Sequence, residues 1–230
     1  MSCRVRVAAE KSGAGKPVSL LLVGDSLTHG TLYPNELARL LSGPGNPAWK
    51  MLGSHRPDSA ATGVAHEGYG GWTWEHFAHR YEAGSPATGI ERNSPFVFPS
   101  PDGGAPVLDV ARYFHEQCGD RRPDTVLFML GINDCFSLNP EDPATLDGGI
   151  VWVLKQAETL LAAFRKAAPD AELGVYLTTP PNPAPPPSRR STGVASRSGV
   201  GGASSTGWWN ERPRSSAGGR KSASSWCPRS

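Results

Sequence analysis

The 230-residue chain has only four cysteines, Cys3, Cys118, Cys135 and Cys227, and no two are spaced as a pair. Neither a disulfide framework nor a zinc site is indicated. No apolar run is long enough to cross a membrane, and the N-terminus lacks the apolar core of a signal peptide. Arg4-Val5-Arg6-Val7 alternates like the end of a strand, so residues 1–16 read as an N-terminal segment that could close a preceding domain. The compartment is therefore left unassigned. Histidine is missing after His115 and aspartate after Asp170.

The C-terminal 50 residues lack the most. Residues 181–230 contain no Leu, Ile, Phe, Tyr or Met, hold 12 serines, and carry 8 Lys+Arg against 1 Asp+Glu. Residues 1–180 carry 15 against 20, so a mildly acidic body (net −5) precedes a basic tail (net +7). A segment so poor in apolar side chains cannot offset its ordering entropy, and disorder is expected for 182–230. Three readings of this basic Pro/Ser/Gly/Arg-rich tail compete. It is a native linker, an arm for nucleic acid or another acidic surface, or the product of a shifted reading frame from about Pro183. Codon logic favours the last. With each new codon built from the last base of one codon and the first two of the next, Trp208-Trp209-Asn210 becomes an apolar residue, Val and Glu whatever codons were used. Ser198 to Glu211 can likewise yield a string with apolar residues at roughly helical spacing.

The body suits one domain with a sizeable core, over residues 17–181. Its acidity argues against nucleic acid as a partner. Val18 and Leu20 to Val23 form an apolar strand running straight into Gly24-Asp25-Ser26-Leu27-Thr28-His29-Gly30. A buried strand ending in a tight turn delivers the next side chain to the carboxyl edge of a sheet, where open α/β sheets bind ligands. A serine there, with its N–H facing a crevice, suits acyl transfer; the same turn also suits a simple helix cap. His66-Glu67-Gly68-Tyr69-Gly70-Gly71-Trp72-Thr73 is a glycine-dense turn before a helix expected at 74–80. Such turns let backbone N–H groups approach a ligand. A second apolar strand, 125–130, ends in Gly131-Ile132-Asn133-Asp134 and brings Asn133 to the same edge. Further helices are expected at 35–41, 107–118 and 150–168, and strands at 49–52 and 173–177. In the longest helix, Val151, Leu154, Leu161 and Phe164 are spaced to share a buried face. Alternating strands and helices predict a parallel sheet covered on both faces.

In their order, Gly24-Asp25-Ser26-Leu27, Gly71 and Gly131-Ile132-Asn133-Asp134 resemble the blocks of the SGNH (GDSL-type) hydrolase family of esterases, lipases and deacetylases. The resemblance spans about Pro17 to Pro181. It implies a flavodoxin-like three-layer α/β/α sandwich, here C-terminally incomplete, in which Ser26 attacks a carboxylic ester of a small molecule or carbohydrate. It also implies an oxyanion hole made of the Ser26 N–H, the Gly71 N–H and the Asn133 amide, with no cofactor and no metal. The family's base is a histidine in a C-terminal Asp-x-x-His block, and this chain has none. Activity is therefore expected to be impaired, and the alternative is a non-catalytic protein that uses the same crevice to hold a ligand.

Three weaker signals are set aside. His76 and His79 lie three apart beside Glu75 and Glu82, as a metal pair could, but no third ligand is placed by sequence. Gly13-Ala14-Gly15-Lys16 resembles a phosphate loop in part, but Pro17 follows the lysine and the stretch precedes its strand. Trp72 and Trp74 could floor a sugar or acyl site, although core packing is their commoner use. His29, three residues after Ser26, reads as a polar loop residue.

Overall fold

In the computed structural model, the structure describes residues 7, 9, 11–86, 89 and 91–176. The tail at 182–230 and the strand end expected from residue 4 lie outside these residues, apart from Val7, which is in no strand. The chain runs β1 (Pro17–Gly24), α1 (Ser26–His29), α2 (Leu32–Leu41), β2 (Ala48–Leu52), β3 (Glu67–Gly68), α3 (Trp74–His79), β4 (Val97–Phe98) and β5 (Val107–Leu108). It continues through α4 (Val110–Cys118), β6 (Thr125–Met129), α5 (Ile132–Cys135), α6 (Pro143–Ala167) and β7 (Glu172–Val175).

β1 lies inside the main sheet because both of its faces are apolar. Leu21 and Val23 point into one cluster with Val126, Phe128, Trp74, Phe77, Tyr113, Leu160 and Phe164. Leu20 and Leu22 point the other way, onto Ala38, Met51 and Val64, with Leu37, Leu41 and Leu127 packed against them. The alternation along one strand therefore seeds two cores, one under α3, α4 and α6 and the other under α2. Each large side chain sealed this way contributes roughly 1.5–3 kcal/mol.

The main sheet is parallel in the order β2-β1-β6-β7, with β3 also on β1. From β1 the chain crosses to β2 by α2 and later from β6 to β7 by α6, in opposite directions across the sheet. Crossovers of one hand then require helices on opposite faces, as observed, and the result is the doubly wound order of flavodoxin-like folds. The expected three-layer parallel α/β architecture is present. β2 and β3 are two halves of one sheet position, since β1 pairs with Ala48 to Leu52 through Pro17 to Leu21 and with Glu67 and Gly68 through Val23 and Gly24. Between them the chain leaves the sheet at Gly53 and returns at His66, and an antiparallel bridge joins His55 to His66. At Gly53, with φ at +144°, a β-carbon would lie 2.5 Å from the His66 nitrogen.

Two expected features are corrected. The helix expected at 107–118 begins at Val110, because Asp109 accepts a bond from the Arg112 N–H as its N-cap and Val107–Leu108 pairs with β4. The helix expected at 150–168 starts at Pro143, where Asp142 caps and proline occupies the first turn. Its buried face is Gln156, Leu160, Phe164 and Ala167. Val151 and Leu154 are 66% and 58% exposed, because the sheet and α3 meet the C-terminal half of the helix along a stripe offset from these two.

Candidate active site

Ser26 is the first residue of α1, two residues beyond the end of β1. The turn is built by exclusion. A β-carbon on Gly24 would run into the Thr28 hydroxyl, and one on Gly68 would lie 2.6 Å from the Thr28 β-carbon, so Thr28 fills the space where the two strands converge. Asp25, 1% exposed, caps the helix by accepting the Leu27 N–H at 2.9 Å. Burial pushes its carboxyl above the ordinary value, while the cap bond pulls the other way. Among the described residues, the Ser26 hydroxyl and N–H have no hydrogen-bond partner.

The glycine turn is fixed to the same strand end. The Tyr69 N–H donates to the Gly24 carbonyl at 3.0 Å, and Gly71 sits two residues further on with φ at +78°. That left-handed conformation favours glycine. The Gly71 N–H also has no acceptor among the described residues. From the other side, Gly24 pairs with Met129 at the end of β6, and α5 follows directly.

Two consecutive residues of α5 then clamp the glycine turn. Asn133 Nδ2 donates to the Trp72 carbonyl at 2.9 Å, and Asp134 Oδ1 accepts the Trp74 N–H at 3.1 Å. An amide nitrogen has two hydrogens, so one Asn133 N–H remains for another acceptor. The second Asp134 oxygen is buried without a partner, and burial holds this carboxyl above its ordinary value, with the Asp25 charge adding to the rise. Ser26, Gly71 and Asn133 thus follow the carboxyl ends of β1, β3 and β6, which are neighbouring positions in the sheet. The crevice between β1 and β6 is the topological switch point of a doubly wound fold.

No histidine bonds to Ser26. The His29 and His55 rings stack, with Nδ1 and Nε2 3.0 Å apart. His66 is fully buried and accepts the Gly68 N–H at Nδ1, which leaves the proton on Nε2. His76 closes a capping box with Thr73, and His79 Nε2 donates to Gln156 Oε1 at 2.6 Å. The pair weighed as metal ligands is thus occupied in holding α3, and no metal-ligand cluster exists among the described residues. His115 bonds Asp120, just past the C-terminus of α4. Trp72 and Trp74 are 0% and 4% exposed and pack in the core, so neither floors an open site. Gly15 and Lys16 lie in the turn before β1, with the Gly15 N–H bonded to the Asn46 carbonyl.

Two features escaped sequence reading. One is Glu67, fully buried, whose oxygens accept from Ser54 N and Oγ, the Tyr113 hydroxyl at 2.7 Å and the Tyr69 hydroxyl. The other is a wall of rings, His29, His55, His66 and Tyr69, between the serine turn and the glycine turn. Both join residues distant in sequence, and no local pattern signals them.

No curated protein matches the chain. Among solved structures, it is similar to a Clostridium thermocellum family 3 carbohydrate esterase, with 23% identity over 70% of this chain and a TM-score of 0.44. The match spans 61% of that protein's length. A GDSL-like Lipase/Acylhydrolase family model matches residues 22–198, well over half of the chain. With the serine, glycine and asparagine turns gathered at one sheet edge, the chain belongs to the GDSL-like lipase/acylhydrolase family.

Proposed function

We propose that this domain is a serine hydrolase of carboxylic esters with Ser26 as nucleophile. The observation that carries the reading is the set of donors around that residue: the N–H groups of Ser26 and Gly71 have no described acceptor, and Asn133 keeps a second amide hydrogen. Ser26 Oγ attacks the ester carbonyl carbon, and the carbonyl oxygen gathers charge that the three donors stabilise. Collapse expels the alcohol and leaves an acyl-serine, which water hydrolyses. The serine proton must go to a base, and no histidine of the chain meets Ser26. In the chain as it stands only solvent can take it, so turnover is slow. The same observation supports a second reading, a ligand-binding protein that keeps the crevice without turnover.

The proposal extends to the tail. The reading frame shifts near the codons for Asn182 to Pro187, and the restored frame encodes the missing Asp-x-x-His. Resequencing the gene and assaying both products with p-nitrophenyl acetate tests this. The present chain is expected to give only about 10³–10⁴-fold over water, the residue left when a triad member is absent. The restored chain is expected to run orders of magnitude faster, with the gain lost in Ser26→Ala. An unbroken frame in independent clones would sink the frame proposal, and fast turnover by the present chain that survives Ser26→Ala would sink the site.

A further inference from the structure

Arg92 stands over the Tyr69 ring, its guanidinium carbon 4.1 Å from the ring centroid. It is half-buried and has no carboxylate partner among the described residues. Glu91, its sequence neighbour, pairs with Arg80 at 2.7 Å. Glu67, the buried carboxylate beside Tyr69, already has both oxygens filled by Ser54, Tyr69 and Tyr113. Arg92 Nε is buried and has no acceptor. The two terminal nitrogens of Arg92 are not sealed in this way and have no partner among the described residues, and a carboxylate is the group such a planar pair fits best.

The surroundings tie this cation to the crevice. Tyr69 bonds the end of β1 and lies two residues before Gly71. On the same ring wall, His55 lies 5.1 Å from Tyr69 and stacks on His29, three residues after Ser26. We propose that Arg92, with His55 and His29, forms an anion subsite beside Ser26 that takes a carboxylate carried by the ester substrate. The inference rests on the assignment of the crevice as the substrate site. Burial, with the charges of His29 and Arg92, holds His55 down to about 4, so at neutral pH its ring is an uncharged hydrogen-bonding group beside the Arg92 cation.

The test reads binding without turnover, so its outcome is separate from that of Ser26 as nucleophile. The full chain is titrated with monomethyl succinate and, in parallel, with uncharged dimethyl succinate, following the histidine ring resonances by NMR. The expected result is a saturable shift of the His55 and His29 signals with the monoanion only, a rise in the His55 pKa when it is bound, and affinity weakened roughly tenfold or more in Arg92→Gln. Partial recovery in Arg92→Lys is expected, since charge is kept and the fork is lost. Equal responses to the two esters in the unaltered chain would overturn the proposal, whatever the variants do. So would an unchanged affinity in a folded Arg92→Gln protein.

Discussion

At Gly68 a β-carbon would lie 2.6 Å from Thr28, and at Gly24 it would meet the same side chain, so the serine turn depends on two residues that have no side chain to place. Two residues before Gly68, His66 is fully buried with its Nε2 proton unpartnered and its ring in a T-shaped contact with His55. Burial, with the neighbouring His55 and His29 charges, holds His66 down to about 3 against an ordinary value of 6.5. The unfolded chain therefore takes up this proton first as pH falls. The stability it contributes is full above about 6.5 and is lost progressively toward 3, and His55, held at about 4, acts in the same direction. Asp25 and Asp134, both raised by burial, act oppositely, because the folded state binds their protons first. The buried His66 is expected to prevail, lowering stability by about 2 kcal/mol between pH 7 and pH 4.5, while the partly exposed His55, screened by solvent, adds less. Urea unfolding at the two pH values checks this, and His66→Gln should flatten the dependence. The same slope in both proteins would contradict the assignment.

Among the elements, α6 shows where pattern and packing part. Its long apolar run fits more than one face of a helix, and the choice between them is made by the sheet and α3. Leu160→Ala is expected to cost about 2–5 kcal/mol, as a buried leucine does, while Val151→Ala stays within about 0.5 kcal/mol. Thermal or urea unfolding of the two variants separates the faces, and a larger loss at Val151 would reverse the reading. β1 and β6 are legible in the sequence because burial on both faces leaves a continuous apolar run, and the turns after them because glycine and Asx residues act locally. The early start of α6 is signalled by Asp142-Pro143 but hidden by Gly148-Gly149, which sit inside the helix with Leu138 packed against Gly149. The split of β2 from β3, the Glu67 network and the histidine wall depend on contacts across 11 to 46 residues of sequence and leave no local trace.

For the whole molecule, the acidic body and basic tail differ in charge and in chemistry, and the family match runs from the end of β1 past the last described strand. No described helix is long and apolar enough to cross a membrane. On the proposed reading the body supplies the nucleophile Ser26 and its oxyanion donors, and no described histidine bonds to Ser26 to take its proton. A small diffusible base can stand in for that missing group, which makes the serine testable in the chain as it is. The full chain is incubated with p-nitrophenyl acetate and added imidazole, digested, and the acetyl group mapped by mass spectrometry. The expected result is acetylation of the peptide bearing Ser26, faster with imidazole, absent in Ser26→Ala and slowed roughly 10²-fold in Asn133→Ala. Acetyl groups collecting elsewhere while Ser26 stays unmodified, at a rate indifferent to Asn133→Ala, would contradict the assignment of Ser26 as the nucleophile.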